Sequence, residues 1–185
     1  MTLYRPIVAD PPWDYDGGGQ YVHGDYDANG KPPSSTALPY SGMPLADILT
    51  LDVRALCEPA GARMFLWATN RYLPDAFDIL IEWGFRYTQT LIWDKRVYGT
   101  PFSASVAPNH AEFLLTGTRG KLPLQGHWST NLIHGPVTEH SRKPEVFLDL
   151  VEHCSPGPYL ELFARRQRLG WDTWGNEALD HGVAL

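Results

Sequence analysis

The sequence predicts an α/β fold built on one mostly parallel sheet with a single hairpin strand. Three observations carry this. Strand-length segments recur at Tyr4 to Ala9, which ends in the apolar Ile7-Val8-Ala9, at Met64 to Ala68, a continuous apolar run, and at Tyr159 to Phe163. Between the first two, Leu45, Ile48, Leu49, Val53 and Leu56 stand at helical spacing, and Phe77, Leu80, Ile81 and Trp83 do so further on. Strands that alternate with single helices are the pattern of parallel βαβ units. Finally, Tyr87 to Trp93 and His110 to Thr116 read as strands with no helical pattern between them, which requires a hairpin.

Taken in order, the first strand ends at Ala9-Asp10, and a polar segment rich in Gly, Tyr and Asp follows from Asp14 to Ser35. A connection this long in a compact domain is usually functional or disordered. The first helix starts near Pro44, a favoured first-turn residue, and Pro59-Ala60-Gly61 ends it. After the second strand, Asn70 is expected to cap the second helix, and Gly84 to stop it. Asp94 to Asn109 reads as a second polar loop, Gly117 to Gly120 as a tight turn, and Leu122 to Glu139 as irregular. A third helix is predicted over Arg142 to His153, broken by Ser155-Pro156-Gly157-Pro158. Tyr159 to Phe163 is then a fifth strand and Gly170 to Gly175 a short sixth. In open α/β sheets ligands bind beyond the carboxyl ends of the strands. Asp10, Thr69-Asn70, Asp94 and Arg165 all fall at such ends.

The 185 residues suit a single domain, 1–185, with no separate target-recognition domain. A formal charge of −6 argues against a sequence-independent grip on phosphates over the whole surface. Two cysteines form no disulfide framework, and the seven histidines show no zinc-type spacing, so no metal is expected. No signal peptide or long apolar run is present, which points to a cytoplasmic protein with no membrane partner.

The stretch with the sharpest chemistry is Asp10-Pro11-Pro12-Trp13. Two prolines lock φ, donate no backbone hydrogen bond and keep the residue before them extended. Asp10, Pro11 and Pro12 thus form a stiff arm whose carbonyls are expected to be free acceptors, with Trp13 as a flat aromatic face. A fixed carboxylate, a fixed carbonyl and a ring can hold a planar amino group. By itself the tetrapeptide is also consistent with a strand end closed by a turn.

Further blocks follow in a set order: Leu38-Pro39-Tyr40, Leu66-Trp67-Ala68-Thr69-Asn70, Ile92-Trp93-Asp94-Lys95, His140-Ser141-Arg142-Lys143-Pro144-Glu145, Ser155-Pro156-Gly157, Glu161-Leu162-Phe163-Ala164-Arg165 and Gly175-Asn176-Glu177. With these the chain, over about residues 4 to 177, resembles the adenine-N6 methyltransferase family that contains the eukaryotic mRNA adenosine methyltransferase and its prokaryotic and phage relatives. The resemblance implies a Rossmann-like fold that binds S-adenosyl-L-methionine, in permuted order, with the catalytic half first and the cofactor strand late.

It also implies roles. Asp10, Pro11, Pro12 and Trp13 would be catalytic. Asp10, Lys143, Phe163, Arg165, Asn176 and Glu177 would bind the cofactor, with Lys143 on the methionine carboxylate, Arg165 on the ribose and Asn176 with Glu177 on the adenine. Trp13, Tyr40, Asn70, Lys95 and Arg142 would meet the substrate. Two positions depart from the pattern: Arg168 stands where relatives have Asn, and Glu177 where they often have Gln. Arg142, Lys143, Arg165, Arg166 and Arg168 could form a basic rim or simply be solvated. The expected substrate is adenine in nucleic acid, DNA ahead of RNA. A homodimer or a partner subunit is open, and a catalytically silent nucleic-acid-binding subunit is the contrasting reading. Cytosine-N4 chemistry is more distant, since it usually has Ser at the first motif position.

Overall fold

The structure, a computed structural model, describes residues 2–14, 42–96, 107, 109–137 and 142–175. It contains strands β1 (Pro6–Ala9), β2 (Gly61–Ala68), β3 (Arg86–Asp94), β4 (Ala111–Gly120), β5 (Leu132–His134), β6 (Tyr159–Leu162) and β7 (Trp171–Trp174). Helices α1 (Leu45–Thr50), α2 (Leu73–Glu82) and α3 (Val146–Cys154) cover the sheet. The strand order is β5-β3-β4-β2-β1-β6-β7. β4 runs antiparallel to β2 and β3, and the other neighbours are parallel.

Every residue of β1 and β2 is buried, because helices lie on both faces. Ile7, Ala9, Met64, Leu66, Leu160 and Leu162 pack towards Ile48 of α1 and Ile79 and Leu80 of α2. Val8, Phe65, Trp67, Leu91 and Trp93 pack towards Phe147, Leu150 and Val151 of α3. The chain leaves β1 for β2 on one side, whereas β6 and then β7 lie on the other. The carboxyl ends of β1 and β6 therefore flank a topological switch point, where open α/β sheets form their ligand crevice.

Several expectations are corrected. Gly117 to Gly120 is no turn: β4 runs through it, and Gly117 is a glycine because a Cβ there would lie 2.9 Å from the Leu80 side chain. The stretch read as irregular contains β5, which is only three residues long and pairs with β3 beyond the reach of any local pattern. Six strands thus become seven. The first helix is broken: α1 stops at Thr50, and Asp52 caps a separate 3-10 turn over Val53–Leu56 by accepting from the Ala55 amide at 3.2 Å. Asn70 caps nothing; it is exposed in a turn, and the residue before α2 is Tyr72. Ile81 is 64% exposed, and Ala76 and Ile79 take the inner face with Leu80 and Trp83. The third helix begins at Val146, four residues later than read. Phe163 has φ of 61°, so β6 ends at Leu162.

Candidate active site

Asp10 leaves the carboxyl end of β1 with its backbone amide donating to the Leu162 carbonyl of β6 at 3.4 Å. Its two carboxylate oxygens accept from Lys143 Nζ at 2.9 and 2.8 Å. Lys143 Nζ also lies 3.2 Å from Glu112 Oε2, and the other oxygen of Glu112 pairs with Lys95. Four charges of alternating sign, from four separate segments, make one chain: Asp10, Lys143, Glu112, Lys95.

The topology explains the convergence. A strand antiparallel to its neighbours begins where they end. Glu112, second residue of β4, therefore sits at the edge where β1, β2 and β3 deliver their last residues, paired in register with Trp93. Side chains alternate across a strand, so Val8 and Asp10 share the α3 side of the sheet. Trp67 and Trp93 form the floor. Lys143 Nζ stands 5.3 Å from the Trp67 ring centroid and Lys95 Nζ 4.9 Å from that of Trp93. Phe147 packs edge-on to Trp67 at 4.7 Å and holds this floor under α3.

Burial disfavours each charge here, and the partners outweigh it. Burial pulls the Lys143 ammonium down, but Asp10 and Glu112 raise it well above its ordinary value. Burial pushes Glu112 up, yet Lys143 and Lys95 hold it below the usual carboxylate range. Glu161 differs. Its Oε2 is buried with no hydrogen-bond partner among the described residues, and burial raises its carboxyl to about 7.

The Pro-Pro arm is occupied on its backbone. The Trp13 amide donates to the Pro11 carbonyl at 2.9 Å and the Met43 amide to that of Pro12 at 2.8 Å, so the two carbonyls keep one lone pair each rather than two. Trp13 turns to the other face of the sheet, 4% exposed, stacked on Tyr72 with centroids 4.8 Å apart. The Tyr72 hydroxyl donates to the Asp14 carbonyl. These rings, with Met43, Leu45 and Ile48, line a recess of about 270 Å³ beside Asp14.

Lys95, Lys143 and Asp10 are thus brought together, whereas Asn70 is exposed and outside this chain of charges. Arg142 lies 3.6 Å from Glu145 at the rim. Phe163, in its left-handed conformation, meets Trp174 edge-on at 5.3 Å, and Arg165 is half-buried in the following turn. Arg168 is no rim cation. It binds Glu152 at 2.9 and 3.0 Å, Asp149 at 2.6 Å and Glu145 at 2.9 Å, tying α3 to the β6–β7 connection, and Arg166 also pairs with Glu145. Tyr40, Asn176 and Glu177 lie outside the described residues, as do 15–41 and most of the loop after Arg96.

Glu112 and Glu161 received no individual role from the sequence. The available signal was a lone carboxylate inside a buried strand run, which has to find a partner or a proton. Among the described residues no cluster suits a metal ion, and no helix is long and apolar enough to cross a membrane.

Comparison with known proteins gives the family of the chain. The MT-A70 family model matches residues 4–177. The type II methyltransferase M.MunI of Mycoplasma sp is 30% identical over 98% of this chain and 81% of its own length. A putative N(6)-adenosine-methyltransferase MT-A70-like protein of Medicago truncatula is 31% identical over 96% of this chain, and the human N(6)-adenosine-methyltransferase catalytic subunit METTL3 26% identical over 96%. The chain spans only 27% and 28% of those two eukaryotic proteins.

Proposed function

The chain belongs to the MT-A70 family, and from that premise we propose that this adenine-N6 methyltransferase uses S-adenosyl-L-methionine and acts on adenine in nucleic acid, DNA ahead of RNA. The order of the two polymers rests on the Mycoplasma type II methyltransferase, matched over 81% of its length, while the N(6)-adenosine-methyltransferases are matched over about a quarter of theirs. The single observation that carries the reading is the Asp10–Lys143 pair at the switch point between β1 and β6.

The residues present fit the cofactor. Lys143 offers a cation beside Asp10 at the carboxyl end of β1, and Glu161 of the neighbouring β6 leaves a buried oxygen unmet among the described residues. When bound, the cofactor supplies a methyl group activated on a sulfonium. Lys143 would hold its carboxylate, Phe163 and Arg165 its adenosine, and Asn176 with Glu177 its adenine ring.

An exocyclic adenine amine is a poor nucleophile, because its lone pair is delocalised into the ring. Asp10 and the remaining lone pair of the Pro11 carbonyl accept its two hydrogens and turn the lone pair out of the plane. Orientation and a fixed field are the gain. Pro12 keeps the arm rigid, Trp13 anchors it by stacking on Tyr72 rather than meeting the base, and Tyr40 flanks the base. Such a base must leave a duplex stack or come from a single strand. Lys95, Arg142 and Asn70 face the nucleic acid. Residues 4–177 work as one methyltransferase domain in the cytoplasm, and target choice comes from residues 14–35 and 95–109 or from a second subunit.

Methyl transfer from labelled S-adenosyl-L-methionine to DNA, RNA and free nucleosides tests this. Incorporation into adenine that is lost in Asp10→Ala is the expected result. Cofactor binding with no incorporation into any adenine substrate overturns it.

A further inference from the structure

Arg96 follows Lys95, yet its guanidinium lies outside the chain of charges that Lys95 ends. β3 finishes at Asp94 and β5 at His134, and these two residues are partners in register. Arg96 comes next in a left-handed backbone conformation, φ 50°, which a residue with a Cβ adopts at a cost. Asp94 holds that turn, accepting from the Arg96 amide at 2.9 Å. The side chain reaches across to β5, where its Nε donates to His134 Nδ1 at 3.1 Å.

Its neighbours in charge are taken. Lys95 lies against Glu112, Lys143 against Asp10 and Glu112, and Arg142, Arg166 and Arg168 against Glu145. Arg96 has only a loose pairing, Nε to Asp94 Oδ2 at 3.9 Å, and its side chain is 67% exposed. With Nε spent on His134, the four N–H donors of the two Nη groups remain, and they have no partner among the described residues. A guanidinium fork held at its inner nitrogen and open at its outer two matches the oxygens of a phosphate.

Position narrows which phosphate. Along the sheet edge β3 follows β1, β2 and β4, three strand spacings from β1, or about 14 Å at about 4.8 Å each. That is too far to touch an adenine held by Asp10, and near enough for the nucleotide chain that carries it. We propose that Arg96 binds a backbone phosphate of the nucleic acid beside the target adenine, with Asp94 and His134 as positioning residues. The inference rests on nucleic acid being the substrate. DNA and RNA share the phosphodiester, so Arg96 serves both alike and fixes register rather than sequence. His134 Nδ1 also lies 3.1 Å from Asp94 Oδ2 and cannot serve both neighbours. A phosphate that draws the guanidinium away leaves Nδ1 to donate to Asp94, so one internal bond replaces another.

Binding of adenine-containing single-stranded DNA and RNA oligonucleotides by the whole chain, over a range of salt, tests this beside steady-state methyl transfer. Arg96→Gln should weaken both polymers about tenfold. It should lower the slope of log K against log salt by about 0.7, the share of one phosphate on a single strand, and raise KM more than it lowers kcat. Arg96→Lys should keep the slope and lose part of the affinity, since a point charge replaces the fork. His134→Ala should weaken binding with the slope kept, because the holder goes and the charge stays. Arg86→Gln removes the same charge at the exposed opposite end of β3 and should change neither quantity. Arg96→Gly suits a φ of 50°, so it should melt no lower than the parent and bind as weakly as Arg96→Gln.

Two results overturn the phosphate contact while the proposed function stands: methyl transfer by the parent with KM and salt slope unchanged in Arg96→Gln, or an equal loss in Arg86→Gln. The Arg96→Gly melt keeps a folding defect from passing as support. A parent chain that binds neither oligonucleotide and methylates neither overturns the nucleic-acid reading itself, and the contact with it.

Discussion

The ammonium of Lys143 sits 2.9 and 2.8 Å from the two oxygens of Asp10, across 133 residues of chain. Both groups belong to the proposed chemistry, so the ion pair joins the amine-holding carboxylate to the cofactor end of the crevice. Glu112 keeps Lys143 from being neutralised by Asp10 alone.

Asp10→Asn removes the charge and keeps the shape. Methyl transfer is expected to fall about 10²- to 10³-fold, the effect of losing one fixed electrostatic partner. Lys143 retains Glu112, so the melting temperature should change little. Initial rates with labelled cofactor, beside a thermal melt, check both.

Lys143→Met leaves Asp10 and Glu112 facing one another without their shared cation. A loss of about 2 kcal/mol is expected near neutrality, since breaking a largely buried pair strands the remaining charge. The deficit should shrink on acidification, because the stranded carboxylates then take up protons. Denaturant melts at several pH values measure this, and a deficit independent of pH would refute it.

Glu112 and Glu161 predict opposite pH effects for their amides. Glu112 is held below its ordinary 4.5, so it contributes stability above that pH and loses it as the pH falls through the folded value. Glu112→Gln should therefore be least stable relative to the parent near neutrality and converge with it in acid.

Glu161 is raised from 4.5 to about 7, so its contribution is present below 4.5 and lost as the pH rises through 7. Without ligand, Glu161→Gln should match the parent in acid and become the more stable protein above neutrality. Calorimetric melting temperatures from acid to neutral pH distinguish the two signs.

Arg168→Ala removes the cation shared by Glu145, Asp149 and Glu152. The three carboxylates then repel one another along the start and outer face of α3. A loss of about 1–2 kcal/mol is expected, partly recovered by salt, which screens such repulsion. Cofactor affinity should stay close to the parent's, because Arg168 serves the helix rather than the crevice.

Parts of this were legible in the residues. β1 and β2 announce themselves as apolar runs, since strands covered on both faces have no polar side to show. Asp10-Pro11-Pro12-Trp13 announces a rigid carboxylate, since proline chemistry is local. Other parts were not legible. β5 has only Leu132, Ile133 and His134, too few for any period, and exists because β3 presents an open edge to it. Ile81 fits a helical stripe but rotates to solvent, because the sheet beneath accepts Ala76 and Ile79 instead.

By itself the sequence determined the α/β class, the hairpin in a parallel sheet and the stiff arm after β1, for each depends on neighbours a few residues apart, while the candidate cation Lys143 came from the resemblance carried by the ordered blocks. Only the tertiary structure decided that Lys95, Glu112, Lys143 and Asp10 form one chain of alternating charge, that Arg168 braces α3 and that Trp13 stacks on Tyr72. Those contacts span from 16 to 133 residues and follow from strand order, which no local periodicity encodes. A buried charge can be recognised in a strand from its type alone, but what neutralises it is set by whichever element the fold lays across it.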